Sequence, residues 1–258
     1  RTTVDNYIRK DKSITRSTNN SRTENNNLVA NAFLEWKMDS VTTLIFRPQY
    51  RFSANDRENK GFQEGWGNDV LLNEKVSSGS SHNSQYNVTM MLQLSRKLSQ
   101  KGRNVALKVD YGTNSSSNDR KNLSTTHYFK NDREDSKNQK IEDDINGYNY
   151  RVQLVYVEPL LWMHHLQLRY SYQYKVNNSD RFVYDWNEDL GEFTPDYDES
   201  ASNQFENQYS NHLLNLAVRT SRKKYNYNVG VDLEPQKSVS HSLLSDPPEE
   251  PLKRSVLN

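Results

Sequence analysis

Residues 166–175 read LQLRYSYQYK, so apolar or aromatic side chains alternate there with polar ones. An alternation of period two places successive side chains on opposite faces of a β-strand. The two leucines and three tyrosines therefore share one face, and the glutamines, arginine, serine and lysine share the other. The stretch predicts a strand with one apolar face and one polar face.

The same alternation recurs along the chain in pairs of stretches joined by short turns. Residues 148–157 read YNYRVQLVYV, and a short connection leads from them to the strand at 166–175. A weaker strand is predicted near residues 3–10. With it, the pattern predicts about nine antiparallel strands. The three other hairpins join 28–37 to 42–53, 86–95 to 105–112, and 212–220 to 225–234.

The connections alternate between short and long. Turns at 39–41, 99–102, 158–164 and 222–224 are short, whereas the polar stretches 11–27, 55–83, 116–145, 178–208 and 238–258 are long. Outer-membrane barrels have short periplasmic turns and long extracellular loops. A soluble all-β sandwich would share the alternation, but loops of about 30 residues are uncommon in compact domains. We therefore predict an antiparallel transmembrane β-barrel in a bacterial outer membrane.

The composition agrees with a barrel wall. Only 33% of the 258 residues are hydrophobic and the mean hydropathy is −1.04, yet the chain has 16 Tyr, 8 Phe and 4 Trp. Disordered chains are poor in aromatic residues. In a barrel only the lipid-facing half of each strand must be apolar, which reconciles low hydropathy with many aromatics.

Several other classes of protein are disfavoured. No apolar run approaches 18 residues, so no transmembrane helix is predicted. The chain has no Cys, so it has no disulfide framework. With 34 basic and 33 acidic residues it also has no net basic character for binding nucleic acid.

Aromatic residues concentrate near the predicted strand ends. Amphipathic rings favour membrane interfaces, because the ring body lies in lipid and the polar tip in water. The predicted lipid-facing girdle consists of Trp36, Tyr50, Tyr111, Tyr150, Tyr156, Tyr172, Tyr174 and Tyr225.

The opposite face of the same strands is predicted to face the lumen. Such a row of polar side chains could line a substrate path or contact a plug, although any barrel lumen needs hydrated residues. The candidates are Arg47, Gln49, Arg51, Lys108, Asp110, Arg151, Gln153, Gln167, Arg169, Lys175, Asn215, Arg219 and Asp232.

Pro48 is out of place in the strand 42–53. Proline cannot donate a ladder hydrogen bond, and a closed barrel has no edge on which to hide it. The sequence therefore predicts a bulge or a local break near this residue.

No catalytic or metal-binding constellation stands out, so we expect neither an enzyme nor a cofactor. The weak metal candidate is Asp185-x-Asn187-x-Asp189, which mimics the start of a calcium loop. Leu190 and Asp196 occupy the positions where that loop has its turn glycine and terminal glutamate. The adjacent pair His164-His165 would be split across the two faces of a strand.

One hairpin carries a family resemblance. Asn26-Asn27-Leu28 is followed by Phe33-Leu34-Glu35-Trp36-Lys37-Met38-Asp39-Ser40 and then by Thr42 through Pro48. This resembles the N-L…L-E-Y-x-P-D-S…T-x-L…P hairpin of the Bacteroidetes outer-membrane β-barrel family related to TonB-dependent receptors. Here Trp36 and Met38 replace the tyrosine and proline. About 25 residues match well, and the remaining strands match in style.

The resemblance implies a TonB-type barrel of 22 strands that imports a ligand, with a plug and commonly a carboxypeptidase-regulatory-like domain. No plug motif is visible, so residues 1–258 are expected to be a section of one barrel domain, with 8–10 strands. Its expected partners are outer-membrane lipid and lipopolysaccharide. TonB and a surface lipoprotein would act through other parts of the protein. The alternatives are a structural or surface-interaction barrel without active transport and, more weakly, a barrel-embedded enzyme.

Overall fold

The computed structural model describes residues 2–8, 13–160, 164–221, 225–244 and 251–257. This part of the chain is all β. Among the residues described, no helix is long and apolar enough to cross a membrane. The strands are β1 (Thr2–Ile8), β2 (Ser13–Asn31), β3 (Leu34–Lys37), β4 (Thr42–Gly67), β5 (Val70–Lys97), β6 (Asn104–Tyr128), β7 (Arg133–Pro159), β8 (His164–Asn187), β9 (Glu192–Phe193), β10 (Asn203–Ser221), β11 (Asn226–Leu233), β12 (Pro235–Ser242) and β13 (Leu252–Leu257).

The strands form an antiparallel meander in the order β1-β2-β4-β5-β6-β7-β8-β10-β12-β13. Strand β3 pairs with β4 beyond the end of β2, and β11 pairs with β10 beyond the end of β12. The sheet is therefore ten strands wide, which is within the predicted 8–10. We call each of these ten strand positions, including those that two successive strands share, a lane. Among the described pairs none joins β1 to β13, so the sheet is open.

The register confirms that the alternating apolar side chains share one face. Leu94, Leu107, Leu154, Tyr170 and Leu214 form one row across five neighbouring strands. Each is between 39% and 45% exposed. An apolar surface this large is unstable in water, so lipid must cover it. We call this face the outward face and the opposite one the inward face.

The polar inward face is where side chains are most covered. Gln167 and Ser171 lie on the inward face and are each 6% exposed. Leu168 follows Gln167 in the chain, lies on the outward face and is 42% exposed. A soluble β domain has the reverse distribution, with leucine inside and glutamine outside. The arrangement excludes a closed apolar protein core behind these strands.

The apolar side chains of the outward face form a band across the strands, which we call the apolar band. From one strand to the next, the position of this band shifts along the strand relative to the register, as the tilt of strands in a barrel requires. The register carries Phe52 on β4 to Glu206 on β10, but the apolar side chains of β10 begin eight residues later, at Leu214. At the lower boundary Leu44 is carried to Leu214, and apolar residues continue for four more, to Val218. Over five steps of about 4.8 Å, these drifts correspond to a tilt of roughly 30–45°.

The long polar segments lie at one end of the sheet, as predicted, but they are hairpins and not irregular loops. Strands β4 to β8 continue far past the aromatic girdle. The turn between β4 and β5, at 68–69, and the turn between β6 and β7, at 129–132, are short. The stretches 13–27 and 238–242 are also strand. The prediction of loops failed because both faces are polar in water, which removes the alternation that marks a strand.

The turns at 39–41 and 99–102 lie at the other end of the sheet, opposite the polar segments, as predicted. The amide of Lys97, at the end of β5, donates to the carbonyl of Val41 in the turn before β4 (2.8 Å). Asp39 closes that turn by accepting hydrogen bonds from the amides of Val41 and Thr42. The hydrogen bond from Val41 is the main cause that lowers the pKa of the Asp39 carboxyl. The predicted turn at 222–224 and part of the connection 158–164 lie outside the described residues.

Pro48 is accommodated by a break in the neighbouring lane. It stays in register with Met90 on β5. On its other side, β2 ends at Asn31 and β3 starts at Leu34, so the missing amide of Pro48 faces the gap between them. The amide of Ala32 donates to the carbonyl of Pro48 at 3.1 Å. The predicted local break is therefore confirmed, but it lies in the partner strand.

Gly147 is required by close packing. A Cβ atom there would lie 2.8 Å from the carbonyl oxygen of Val176 and 3.1 Å from Oδ1 of Asn177. At Gly112 the close neighbours of a Cβ are all atoms of the side-chain amide of Asn149, which can rotate away. The two glycines therefore differ in how well the sheet can adapt.

We predict that Met90→Lys destabilises the barrel by about 2–4 kcal/mol, because Met90 is on the outward face near the middle of the apolar band. The matched variant Thr89→Lys puts the same charge on the inward face and should cost less than about 1 kcal/mol. Chemical unfolding of the full-length protein in phosphatidylcholine bilayers measures both. Equal losses would contradict the assignment of faces.

Gly147→Ala should destabilise the sheet by about 1–3 kcal/mol, because the backbone of β8 must move. Gly112→Ala should be close to neutral, since only an amide side chain must rotate. The same unfolding measurement compares the two variants. A neutral Gly147→Ala would show that the packing around Val176 is loose.

Candidate functional site

The candidate site is the inward face of the sheet. The register places all thirteen predicted lumen-facing residues on this face, from Arg47 on β4 to Asp232 on β11. One row, for example, joins Arg47, Met91, Asp110, Arg151 and Gln173. That these residues line a closed lumen stays a prediction, because the sheet is open.

Asp110 is the electrostatic centre of this face within the apolar band. It lies between Arg151, whose Nη2 and Nε donate to its Oδ2 at 2.9 and 3.1 Å, and Lys108, whose Nζ is 3.0 Å from its Oδ1. Arg151 comes from the adjacent strand, so this pair also fixes the β6–β7 register. The single carboxylate of Asp110 is thus shared between two cations, so this group of three side chains keeps a net positive charge.

The remaining acids of this face are also engaged. Asn215 donates to Asp232 across β10 and β11, and Asn211 donates to Glu234 at 2.7 Å. Glu35 has Lys37 on its own strand at 4.0 Å. Among the described residues, each acid at the level of the apolar band thus has a side-chain partner, but only Asp110 and Glu35 have a cation within 4 Å.

Several cations of this face have no acid partner within the described chain. The guanidinium of Arg47 lies over the ring of Phe33, 4.8 Å from its centroid. Arg219 donates to the amide oxygen of Asn228 at 3.2 Å, and the buried Nε of Arg169 has no hydrogen-bond partner. Nine cations lie at this level of the inward face: Lys37, Arg47, Arg51, Lys97, Lys108, Arg151, Arg169, Lys175 and Arg219.

Phe33 is a residue that the sequence analysis missed. It lies in the break opposite Pro48, is 57% exposed and contacts the inward-facing Arg47. The alternation of 28–37 gave it no role. The signal that could have found it is Pro48 itself, because the break that this proline demands places Phe33 beside Arg47.

The aromatic girdle lies on the outward face and includes a cluster. The rings of Tyr150 and Tyr174 are 5.7 Å apart, and those of Tyr150 and Tyr172 are 6.0 Å apart. His212 extends the cluster, with its ring 4.8 Å from that of Tyr172. Tyr225 stacks with Tyr227 near the short-turn end. Trp36, Tyr50, Tyr111 and Tyr225 are between 38% and 54% exposed.

The two adjacent histidines separate across the sheet, as predicted. His164 pairs in register with Thr220, and the hydroxyl of Tyr227 is 2.9 Å from its Nδ1 on the outward side. His165 is opposite Arg219 on the inward side, beside a cavity of about 650 Å³ that Val157 and Gln167 also line.

The weak metal candidate is not assembled as a cation site. Nε2 of Gln139 donates to Oδ1 of Asp185 at 2.8 Å. Oδ1 of Asn187 accepts the amides of Asp189 and Leu190, which closes a turn. In the described ranges, no group of three or more His, Asp or Glu side chains converges in the way that a metal ion requires.

The aromatics near this loop pack on one another. The ring of Phe182 is 5.1 Å from that of Tyr197, and Trp186 meets Phe193 edge-on at 5.2 Å. Loop residues 194–202 also return to the backbone of β8, where the amide of Asp198 donates to the carbonyl of Val183 (2.7 Å). These contacts favour loop packing over ligand stacking as the reason for the aromatic residues.

A charged row crosses the extended hairpins on the outward face. The register joins Glu24, Asp56, His82, Asp119 and Glu142, one from each of five neighbouring strands. Nδ1 of His82 is 2.6 Å from Oδ1 of Asp56. This hydrogen bond, followed by the charges of Asp56 and Asp119, raises the pKa of the His82 imidazole.

An outward apolar band, an inward polar wall and long polar hairpin extensions at one end define the wall of an outer-membrane β-barrel. The family model described as "Outer membrane protein beta-barrel family" matches residues 96–247, more than half of the chain. This chain belongs to that family, and its location is the outer membrane.

Among solved structures, the sheet is similar to the crystal structure of BauA, the ferric preacinetobactin receptor from Acinetobacter baumannii. The sequence identity is 9%, the TM-score is 0.43, and the match covers 96% of this chain. The chain spans 44% of the length of that receptor. A search of curated protein sequences finds no match.

We predict that His82 titrates above its usual value near 6.5. Its protonated form stabilises the hairpins. This stabilisation is fully present below pH 6.5 and is lost as the pH rises through the raised pKa. Histidine NMR of the full-length protein in nanodiscs measures the midpoint.

Asp56→Asn should return the His82 midpoint towards 6.5, because it removes the acceptor of the hydrogen bond. The control Asp144→Asn removes an acid from the same face at the next row and should shift the midpoint much less. Equal shifts in the two variants would assign the effect to net charge and not to the His82–Asp56 contact.

Proposed function

We propose that this chain is part of the barrel wall of an outer-membrane receptor that imports a ligand, with energy supplied through TonB. The observation that carries the proposal is the inward face, where the described residues include nine cations and four acids at the level of the apolar band. A wall with a structural task alone would gain stability from balanced pairs, as at Asp110. Unbalanced charges are expected where a solute supplies the counter-charge.

The size of the sheet supports a wide lumen. Ten adjacent lanes do not close on themselves. Barrels of about eight strands are filled by side chains, whereas those of 16 or more strands can hold a channel or a plug. The family resemblance to TonB-dependent receptors of Bacteroidetes adds the energy source and the plug to the proposal. Lipopolysaccharide and a surface lipoprotein are the proposed partners outside the cell, and neither nucleic acid nor a catalytic reaction has a role.

Deletion of the gene should abolish growth on one nutrient supplied in a form too large for porins. The panel would contain one iron chelate, one oligosaccharide or one peptide at a time, and the wild-type gene should restore growth. Loss of TonB should reproduce the defect. Normal growth on every nutrient, or a defect that does not depend on TonB, would contradict energised import.

A second candidate function is surface interaction without active transport. It is favoured by the length of the hairpins, since Arg133 to Gly147 of β7 extends about 50 Å along the strand beyond Tyr148, the outward tyrosine next to the girdle residue Tyr150. The deletion strain distinguishes the two functions. A defect in attachment to cells or to a partner protein, with normal uptake, would support this candidate.

A further inference from the structure

We infer that the inward face attracts an anionic solute, so that the imported ligand carries negative charge. This inference rests on the proposed import function and specifies the chemistry of the same site. It follows from the distribution of charge between the two faces, which becomes visible once the register is known.

The charge on the inward face is unbalanced at the level of the membrane. Among the residues that the structure describes, five more cations than acids lie there, and the acids already have partners, as Asp110 has in Arg151 and Lys108. Arg51 and Lys175 are exposed and have no acid within 4 Å among the described residues. Their charges are therefore available to a solute.

The same imbalance continues above the membrane. On the inward face of the hairpins the register places Arg57 and Arg120 in one row, and Arg181 in the next row beside Asp143. Asp143 is the only acid in these two rows within the described residues, and it is shared between Arg120 and Arg181. The positive wall thus extends beyond the level at which a plug could lie inside the membrane.

Acids are concentrated on the outward face of the hairpins, although the neighbouring row there also holds the cations Arg22, Lys121 and Lys140. Glu24, Asp56, Asp119 and Glu142 occupy one row, and Asp144 and Asp180 are directly opposed in the next. The whole chain carries a net charge of +1, so its composition does not reveal how charge divides between the two faces. The sequence looks electrically neutral, but the sheet is polarised from one face to the other.

A wall of this kind acts on solutes before they make contact. A cleft lined by charge of one sign focuses the field and raises the local concentration of the opposite ion. Salt screens the effect, since the Debye length falls from about 30 Å at 0.01 M to about 8 Å at 0.15 M. Capture of an anion should therefore depend steeply on ionic strength, whereas a neutral solute would gain nothing.

Binding of the trisulfonated dye pyranine to the full-length protein tests the inference. The protein is placed in nanodiscs of phosphatidylcholine, and fluorescence anisotropy is measured at low and at physiological salt. The double variant Arg51→Gln/Lys175→Gln removes two inward charges and should weaken binding by roughly threefold to tenfold at low salt. Lys60→Gln/Lys121→Gln removes two outward charges and should change binding by less than about twofold.

Equal losses in the two double variants would overturn the inference, because binding would then follow net charge alone. Absence of dye binding to the folded wild-type protein would also overturn it. If the inward variant instead exposes a plug to protease without altering dye binding, the cations serve the plug. If uptake of a nutrient is found but the protein does not bind the anionic dye, the anion inference fails and the import proposal stands. If the dye binds but no uptake is found, the import proposal fails and anion binding stands.

Discussion

Every backbone amide and carbonyl in the membrane must find its partner within the protein, because lipid offers none. A meander of antiparallel strands meets this demand through neighbours alone, and ten lanes of it make up this wall. The break in strand pairing between β2 and β3 lies where one hydrogen-bond donor is missing anyway. It is opposite Pro48, which has no amide hydrogen, and the amide of Ala32 donates to the carbonyl of Pro48.

Once the backbone is satisfied, the side chains are free to divide by face, and this division explains what could be predicted. In the apolar band, lipid imposes alternation on residues such as Leu166 to Lys175, so strands, faces and turns were visible in the sequence. Above the band both faces meet water. Asn55, Asn83 and Asn118 are register partners in adjacent strands, yet asparagine is typical of loops, and the hairpins were mistaken for loops.

The candidate site shows a similar limit. Which residues face inward follows from period two, so the thirteen positions from Arg47 to Asp232 were predictable. Which of them are neutralised depends on the register. Asp110 precedes Arg151 by 41 residues, and pairing them requires knowing that β6 and β7 are aligned through these two positions. The position of Phe33 beside Arg47 depends further on an irregularity that no periodic pattern describes.

The distribution of charge also has a cost that the structure limits in a definite way. Like charges directly opposed on adjacent strands are destabilising. On the inward face at the level of the apolar band, the register opposes Arg51 to Asn87 and Lys175 to Asn149, so cations are separated by amides. Amides solvate a cation with their oxygens but do not cancel its charge. The wall therefore keeps a positive potential without direct repulsion between neighbours, an arrangement that ion pairing throughout would have removed. Asp110 is the exception to separation by amides. Lys108 and Arg151 come so close there that an acid is needed between them.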